Sequence, residues 1–213
     1  MNTTEEVMLD QHLKARGIND PDVLQAMAAV DRKQFVPPEW EERAFEDRPL
    51  PIGAGQTISQ PYIVAYMLQA LRLKPDDVVF EAGAGCGYNA AVLSRIVRQV
   101  YSVEIIKELA DIAEANLKKA EIDNVEVRHG DGASGALDVA PFDAVILTAA
   151  PAAIPQPLKD QLRIGGRLLA PVGTQQQELI LLEKYDEDAF REHKLLPVRF
   201  VPMTGQAESG ETA

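Results

Sequence analysis

A glycine-rich turn is the first segment of this sequence whose residue types and spacing could do chemistry. Residues 80–88 read FEAGAGCGY and lie between a short apolar run and a stretch with helical spacing. Glycines at a strand-to-helix turn let the backbone approach a ligand closely. The spacing is G-x-G-x-G, and Tyr88 stands where the dinucleotide fingerprint would have its third glycine. Glu81 adds a carboxylate that suits a cationic ligand better than a pyrophosphate. The turn therefore points to S-adenosylmethionine, the alternative being a tight turn without a ligand.

Two further acids follow the next two predicted strands. Glu104 lies 21 residues after Gly83, where a carboxylate can accept hydrogen bonds from both ribose hydroxyls. Asp131 lies between Gly130 and Gly132, where it can accept from an adenine amino group. Taken singly, Glu104 could be an acid that stabilises a helix N-terminus, and Asp131 a simple turn residue. Three successive strands that each end in an acid favour one nucleoside site.

The elements that must position these acids alternate along the chain. Apolar runs predict strands at residues 78–80, 100–103, 125–127, 144–147, 167–170, 179–182 and 198–201, and helical spacing predicts helices at 62–71, 89–97, 107–119 and 157–162. This alternation is typical of parallel βαβ units, which bind ligands at the carboxyl ends of their strands. No convincing helix separates the last two strands. The sequence predicts an α/β, Rossmann-like, doubly wound and mostly parallel seven-stranded sheet, with helices on both faces and an antiparallel element at the end.

Residues 36–61 separate an N-terminal helical region from this alternating core. The first 35 residues are predicted to be helical, with Asp20 and Pro21 at the start of one helix. Five prolines and two glycines in residues 36–61 argue against regular helix and central strand, and predict a long ordered loop. Loops of this length within a compact domain are usually functional. Further along, Gly165 and Gly166 are predicted to end the helix at 157–162.

Composition bounds the class of protein. The chain has 213 residues, of which 46% are hydrophobic and 25% charged, which predicts one globular domain over residues 1–205. We divide that domain into N-terminal helices and loop (1–75), a cofactor-binding core (76–173) and C-terminal strands (174–205). Residues 206–213 have no large apolar side chain and are predicted to be a disordered tail.

Charge and cysteine content restrict the partners. Acidic residues outnumber basic ones by 33 to 21, and a net charge of −12 repels phosphate backbones and anionic lipid, so we expect neither a nucleic-acid nor a membrane partner. A single cysteine provides neither an internal disulfide nor a zinc cluster. We see no signal peptide and no apolar run of about 18 residues, so a cytoplasmic location is expected.

The proline-rich loop and the glycine turn together resemble the protein-L-isoaspartate O-methyltransferase family. The matching segments extend from about residue 21 to residue 205 and are 47–53 (DRPLPIG), 56–65 (QTISQPYIVA), 85–93 (GCGYNAAVL), 130–132 (GDG), 142–144 (FDA), 148–151 (TAAP), 165–168 (GGRL), 171–173 (PVG) and 200–205 (FVPMTG). The TISQP loop is much more specific than the glycine turn, which the adenosylmethionine-dependent methyltransferases of this fold share. The chain departs from the family pattern through small residues at Ala82, Ala84 and Cys86, and through Asn89 in place of the common glutamine.

The resemblance implies a class I S-adenosylmethionine-dependent methyltransferase. It would methylate the free α-carboxylate of L-isoaspartyl residues, and of D-aspartyl residues, in damaged proteins and peptides, with S-adenosyl-L-homocysteine as the product. The resemblance makes Ser59 the catalytic residue and assigns substrate binding to Ile58, Ser59 and Val201. It assigns cofactor binding to Thr57, Ser59, Glu81, Gly83, Ala84, Gly85, Gly87, Glu104, Ile105, Asp131, Gly132, Thr148 and Thr204, and implies no metal.

The chemistry agrees with the absence of a convincing His/Asp pair. A carboxylate with an ordinary pKa near 3.9 is already a nucleophile at neutral pH and needs no general base. We therefore interpret His12, His129 and His193 as surface residues. Ser59 has a second interpretation, as the N-cap of the helix that follows.

Three other functions stay open at this stage. The same fold could methylate a carboxylate of a small metabolite or of a dedicated peptide partner. An NAD-dependent oxidoreductase is disfavoured by Tyr88 and by the lack of a proton-donating constellation. A nucleoside-binding regulatory domain is the non-enzymatic alternative, in which residues 56–61 would only pack.

Overall fold

The computed structural model of the chain describes residues 4–206. Its α-helices are α1 (Thr4–Val7), α2 (Pro21–Ala29), α3 (Pro61–Leu71), α4 (Tyr88–Leu93), α5 (Lys107–Lys119) and α6 (Gln156–Asp160). Its strands are β1 (Leu50–Gly53), β2 (Gln56–Ile58), β3 (Val78–Ala82), β4 (Gln99–Glu104), β5 (Val125–His129), β6 (Phe142–Leu147), β7 (Leu162–Val172), β8 (Gln177–Asp186) and β9 (Ala189–Val198). Short π- or 3-10-helical segments are Met8–Leu13, Lys14–Arg16, Arg32–Phe35, Pro38–Arg43 and Gly132–Ser134.

The main sheet has seven strands in the order β5-β4-β3-β6-β7-β8-β9. Strands β3 to β7 are parallel, and β8 is antiparallel to both β7 and β9, as the sequence predicts. The chain proceeds outward from β3 to β5 and then returns to place β6 on the other side of β3. This reversal of strand order opens a crevice beyond the carboxyl ends of β3 and β6, where open α/β sheets bind ligands.

Two apolar layers cover the faces of the sheet. Side chains alternate along each strand, so that Val79 packs with the larger layer and Phe80 with the smaller one. The larger layer includes residues of α2, α3, α4 and α5, whereas the smaller one includes Leu158 of α6 and Phe142 of β6. No helix within residues 4–206 is long and apolar enough to cross a bilayer.

The segment predicted to be one long loop contains regular structure. Pro38–Arg43 is a 3-10 helix, and β1 pairs with β2 in a two-stranded antiparallel sheet separate from the main sheet. Ala54 and Gly55 connect the two strands with φ of 49° and 73°, positive angles that suit a tight hairpin turn. The prolines exclude a central strand, as expected, but the prediction of a single loop was wrong because they tolerate this isolated ribbon.

Two predictions at the C-terminal end also need correction. Gly165 and Gly166 do not end a helix but lie inside β7, where the pairing with β6 changes register between Phe142 and Ala144. A Cβ on Gly166 would lie 2.8 Å from the Asp143 carbonyl oxygen, so these glycines mark an irregularity of the sheet. The last strand was predicted at residues 198–201, but β9 extends from Ala189 to Val198, and Arg199 and the residues after it leave the ladder.

Helix boundaries are closer to expectation. Asp20 caps α2, since its side chain accepts hydrogen bonds from the backbone N–H groups of Asp22 and Val23. Helix α5 has the predicted limits, whereas α4 is shorter than predicted and ends at Leu93. Gln206 is structured and contacts the site described below, and residues 207–213 of the predicted tail lie outside the described residues.

Candidate functional site

A cleft lies beyond the carboxyl ends of β3, β4, β5 and β6. It lies between the glycine turn, the β1–β2 hairpin and the C-terminal segment, at the edge of the sheet where small-molecule sites of this architecture occur. We call it the strand-end cleft. Glu104 and Asp131 are the acidic residues in its wall, and no Lys, Arg or His of residues 4–206 lines it. The cleft is therefore suited to a cationic nucleoside and has no cation to meet a pyrophosphate.

The glycine turn forms the floor of the cleft. Gly83 has φ of 101°, and a Cβ there would lie 2.3 Å from the Thr148 hydroxyl oxygen, so only glycine fits. The Gly83 N–H donates to the Val103 carbonyl oxygen at 2.8 Å, and the Thr148 hydroxyl lies 2.5 Å from the Gly83 carbonyl oxygen. These contacts fix the backbone of the turn to the ends of β4 and β6 before any ligand binds.

Glu104 ends β4 at the side of this turn. Its side chain is buried, and its two carboxylate oxygens accept hydrogen bonds from the N–H of Gly85 at 2.8 Å and of Ile106 at 3.0 Å. Each carboxylate oxygen has two lone pairs, so the group keeps acceptor capacity toward the cleft. Glu104 is thus both the support of the turn and a polar part of the cleft wall.

Glu81, expected to face the ligand, lies beneath the cleft and not in its wall. The side chain is fully buried, and its carboxyl oxygens accept hydrogen bonds from the Asn89 amide and the Ser102 hydroxyl. The cause is the alternation of side chains, because Glu81 and Ser102 are register partners within β3 and β4. The structure places Glu81 behind the turn, where it supports the backbone, and its contact with a ligand stays a prediction.

The environment of Glu81 also changes its charge. Burial raises the pKa of Glu81 to about 7, and the hydrogen bonds from Ser102 and Asn89 oppose this in part. An unfolded glutamate has a pKa near 4.5, so between these values the folded chain holds a proton that the unfolded chain releases. The stability present below about pH 4.5 is therefore lost progressively as the pH rises to about 7.

Gly87 and Cys86 pack behind the turn in different ways. Gly87 does not line the cleft, and a Cβ on it would lie 3.2 Å from the Ala113 carbonyl oxygen, so this glycine allows α4 and α5 to approach. Its expected role in cofactor binding stays a prediction. Cys86 touches the cleft but is buried, and burial raises the pKa of its thiol to about 11. The thiol is therefore inert, as expected for a small buried residue.

Asp131 joins the cleft to the C-terminal segment, residues 199–206, which we call the clamp segment. One carboxylate oxygen accepts from the Ala133 N–H at 2.9 Å and the other from the Gln206 N–H at 2.8 Å. Closer to β6, the Ala150 N–H donates to the Val201 carbonyl oxygen and the Met203 N–H to the Ala150 carbonyl oxygen, both at 2.8 Å. The clamp segment is therefore tied to the rim at both ends.

Ser59 follows the β1–β2 hairpin on the opposite side of the cleft. The N-cap of α3 is Gln60, and no side chain caps this helix, so the N-cap interpretation of Ser59 was wrong. Within residues 4–206 the Ser59 hydroxyl has no hydrogen-bond partner. A half-buried hydroxyl that the protein does not use is free to bind a ligand.

Asp47 holds the loop that carries Ser59. It accepts hydrogen bonds from the Gln60 side-chain amide at 2.7 Å and from the Tyr62 backbone N–H at 3.2 Å. Arg16 forms an ion pair with Asp47 at 2.5 Å and stacks over the Tyr62 ring, 3.5 Å from its centroid. One aspartate therefore fixes the residues that flank Ser59 to the N-terminal region.

A second cavity opens beside the strand-end cleft. This outer groove lies between the Ser59 loop and the end of β9, and its lining includes Pro49, Gln60, Ile63, Pro197, Val198, Arg199 and Phe200. Four residues line both cavities, namely Thr57, Ser59, Thr148 and Val201. The two cavities therefore meet at Ser59, in the arrangement that transfer between two ligands requires.

Apart from Glu81 and Gly87, the predicted site residues come together. The strand-end cleft is lined by Thr57, Ile58, Ser59, Gly83, Ala84, Gly85, Glu104, Ile105, Asp131, Gly132, Thr148, Val201 and Thr204. Sequence reasoning missed other lining residues, among them Ile52, Gln56, Val64, Ile106, Ala149 and Met203. In β1, Leu50 and Ile52 are buried and their neighbours are exposed. Apolar residues at alternate positions were the sequence signal that could have predicted a strand in this wall of the cleft.

The histidines have no part in this site. His129 is exposed, and His193 is partly exposed and pairs with Glu183 on β8. His12 is half-buried, as His193 is, and lines neither cavity. Within residues 4–206 no group of His, Cys, Asp and Glu side chains is arranged to hold a metal ion.

Comparison with known proteins gives the same family from three directions. The model of the protein-L-isoaspartate(D-aspartate) O-methyltransferase family matches residues 2–208. The chain is 52% identical over 202 residues to protein-L-isoaspartate O-methyltransferase 2 of Pelobacter propionicus, covering 94% of this chain and 90% of the relative. It is also 52% identical over 199 residues to the protein-L-isoaspartate O-methyltransferase of Gloeobacter violaceus, covering 92% and 97%.

Solved structures agree with these sequence matches. A protein-L-isoaspartate O-methyltransferase superposes with a TM-score of 0.88 at 29% identity, covering 96% of this chain and 67% of that one. A Plasmodium falciparum chain described as a protein-L-isoaspartate O-methyltransferase, in complex with S-adenosyl-L-homocysteine, superposes with a TM-score of 0.84 at 27% identity. That match covers 96% of this chain and 99% of the other.

Proposed function

The chain belongs to the protein-L-isoaspartate(D-aspartate) O-methyltransferase family, and from that membership we propose how it works as a protein-repair enzyme. It moves a methyl group from S-adenosylmethionine to the free α-carboxylate of L-isoaspartyl residues. The observation that carries the proposed mechanism is that the strand-end cleft and the outer groove meet at Ser59. The Ser59 hydroxyl forms no hydrogen bond with any residue of 4–206.

The donor set of the strand-end cleft fits S-adenosylmethionine. Glu104 offers carboxylate lone pairs beside the backbone of the glycine turn, where ribose hydroxyls can donate to them. Asp131 and Gly132 are suited to the adenine end, and Thr57 and Thr204 add hydroxyls at the rim. Because the wall carries acids and no basic side chain of residues 4–206, it favours a positively charged ligand over NAD.

When bound, S-adenosylmethionine supplies a methyl group on a positively charged sulfur. Ser59 donates a hydrogen bond to the substrate carboxylate and holds one oxygen in line for attack. This orientation of the reactant lowers the barrier to methyl transfer. A neutral hydroxyl suits this task because the carboxylate loses its charge in the reaction, whereas an adjacent arginine would stabilise the charged ground state more. Thr148 cannot replace Ser59, since its hydroxyl is engaged with the backbone at Ala82 and Gly83.

The outer groove is proposed to bind the peptide around the damaged residue. Among the described residues none accepts a hydrogen bond from the backbone N–H of Val201, a half-buried residue of the groove, so this donor is available to an extended chain. Backbone recognition of that kind tolerates varied side chains, as repair of many proteins requires. The same groove is proposed to accept D-aspartyl residues, and the acidic, cysteine-poor composition supports action in the cytoplasm.

Transfer of radioactive methyl groups tests the proposal directly. The substrates are an isoaspartyl peptide and the peptide of the same sequence with a normal aspartyl residue, each at matched concentrations. We expect base-labile methyl ester on the isoaspartyl peptide and none on its twin. Equal labelling of both peptides, or labelling of neither alongside methylation of a small carboxylic acid, would contradict the proposed substrate.

A further inference from the structure

Arg199 is the charged residue of the outer groove. Every other groove-lining side chain of residues 4–206 is neutral. The guanidinium is exposed and forms no ion pair with any residue in that range. In a chain with net charge −12, an unpaired cation at a peptide groove is available to an acidic ligand.

The backbone that carries Arg199 is fixed in place. The next residue, Phe200, donates its N–H to the Gln177 side-chain oxygen at 2.6 Å, and its carbonyl oxygen accepts from the Gln177 side-chain nitrogen at 3.1 Å. Gln177 is buried on β8, and Val201 is bonded to Ala150 on the other side. Arg199 therefore extends from a backbone that is already held by hydrogen bonds, and a partner that binds Arg199 does not have to order that backbone.

The position of Arg199 separates it from the reacting carboxylate. Val201 lines both cavities, whereas Arg199, two residues earlier, lines only the outer groove. Because Arg199 lines the outer groove without reaching the strand-end cleft, we expect it to face a residue next to the isoaspartyl residue and not the isoaspartyl residue itself. A cation against the reacting carboxylate would also oppose the loss of charge that methyl transfer requires.

We propose that Arg199 makes the outer groove selective for isoaspartyl residues with an acidic neighbour on one side. The substrate class is then a damaged site in an acidic segment, in which one carboxylate is methylated and a second pairs with Arg199. This inference rests on the proposed function, because it assumes that the outer groove binds the isoaspartyl peptide.

The test uses a set of isoaspartyl peptides that differ at one neighbouring position. Glu, Gln and Lys are placed first before and then after the isoaspartyl residue, and kcat/KM for methyl transfer is measured for each. An exposed ion pair contributes modestly, so we expect Glu over Gln by about two- to fivefold at one of the two positions. The preference should diminish at high salt, because ions screen exposed charges.

Two variants identify the residue responsible. Arg199→Gln should abolish the preference for Glu, and Arg199→Glu should replace it with a preference for Lys at the same position. Arg191→Gln removes an exposed cation of β9 that lines neither cavity, and should leave the preference unchanged.

Each other outcome overturns the inference in a distinguishable way. Equal rates on Glu and Gln peptides, or equal effects at both neighbouring positions, would show that Arg199 makes no specific contact. A uniform loss on every peptide in Arg199→Gln would place the guanidinium on the reacting carboxylate instead. Failure of the wild-type protein to methylate any isoaspartyl peptide would refute the proposed function itself.

Discussion

Replacing Ser59 by alanine removes one hydroxyl from the junction of the two cavities. The hydroxyl has no partner within residues 4–206 and does not cap α3, so its loss breaks no protein contact. The free energy of unfolding should change by less than about 0.5 kcal/mol. A hydrogen bond to a charged carboxylate contributes about 1.5–3 kcal/mol, which corresponds to a loss of roughly 10- to 150-fold in turnover.

The assay compares kcat, affinity for S-adenosyl-L-homocysteine and urea denaturation for the same preparations. Ser59→Ala should lose turnover and keep the other two properties, and Ser59→Thr should recover turnover because it restores a hydroxyl. Ser134→Ala is the matched control, since this exposed serine lies outside both cavities. Wild-type turnover in Ser59→Ala, or a loss of turnover explained entirely by lower stability, would refute the assignment.

Three further predictions follow from the contacts around the site. Glu104→Gln should weaken binding of S-adenosyl-L-homocysteine about tenfold in calorimetry, or about 1.4 kcal/mol, whereas Glu108→Gln, an exposed control, should not. Equal affinities of the wild type and Glu104→Gln would remove Glu104 from the site. Asp47→Ala should lower kcat by about fivefold and leave cofactor affinity unchanged, because the loop around Ser59 loses the hydrogen bonds that Asp47 accepts. Asp47→Asn should recover part of the lost kcat. A change in cofactor affinity alone would contradict a positioning role. Because the pKa of Glu81 is raised to about 7, the free energy of unfolding of the wild type should fall by on the order of 3 kcal/mol between pH 4.5 and 7, and Glu81→Gln should not show this fall. Urea denaturation measures both proteins across this range, and the same pH dependence in the two would be inconsistent with that pKa.

The alternating core could be predicted because its signals are local. Helix α5 keeps its predicted limits, since its apolar residues recur at helical spacing between clear strands. The bulge at Gly165 and Gly166 and the polar strand β9 could not be predicted in this way. The irregularity depends on pairing with β6, which is distant in sequence, and a glycine pair alone resembles a helix end. Strand β9 pairs with β8 immediately before it, but the polar residues 191–194 interrupt the apolar run that would mark it as a strand.

The same distinction holds for the site. Position at strand ends predicted that Glu104 and Asp131 lie close together, because parallel strands bring their carboxyl ends to one edge, and both residues line the cleft. Glu81 lies beneath the cleft and not in its wall, because one residue along a strand reverses the direction of a side chain. The roles of Asp47 and Arg199 depend on tertiary contacts that no spacing in the sequence reveals.

A crystal structure with S-adenosyl-L-homocysteine and an isoaspartyl peptide tests the central claim most directly. The account predicts the nucleoside in the strand-end cleft with its ribose on Glu104, and the peptide in the outer groove. It places the free α-carboxylate within hydrogen-bond distance of the Ser59 hydroxyl and facing the sulfur atom. A peptide bound elsewhere, or a carboxylate held by Arg199 with Ser59 unoccupied, would contradict it.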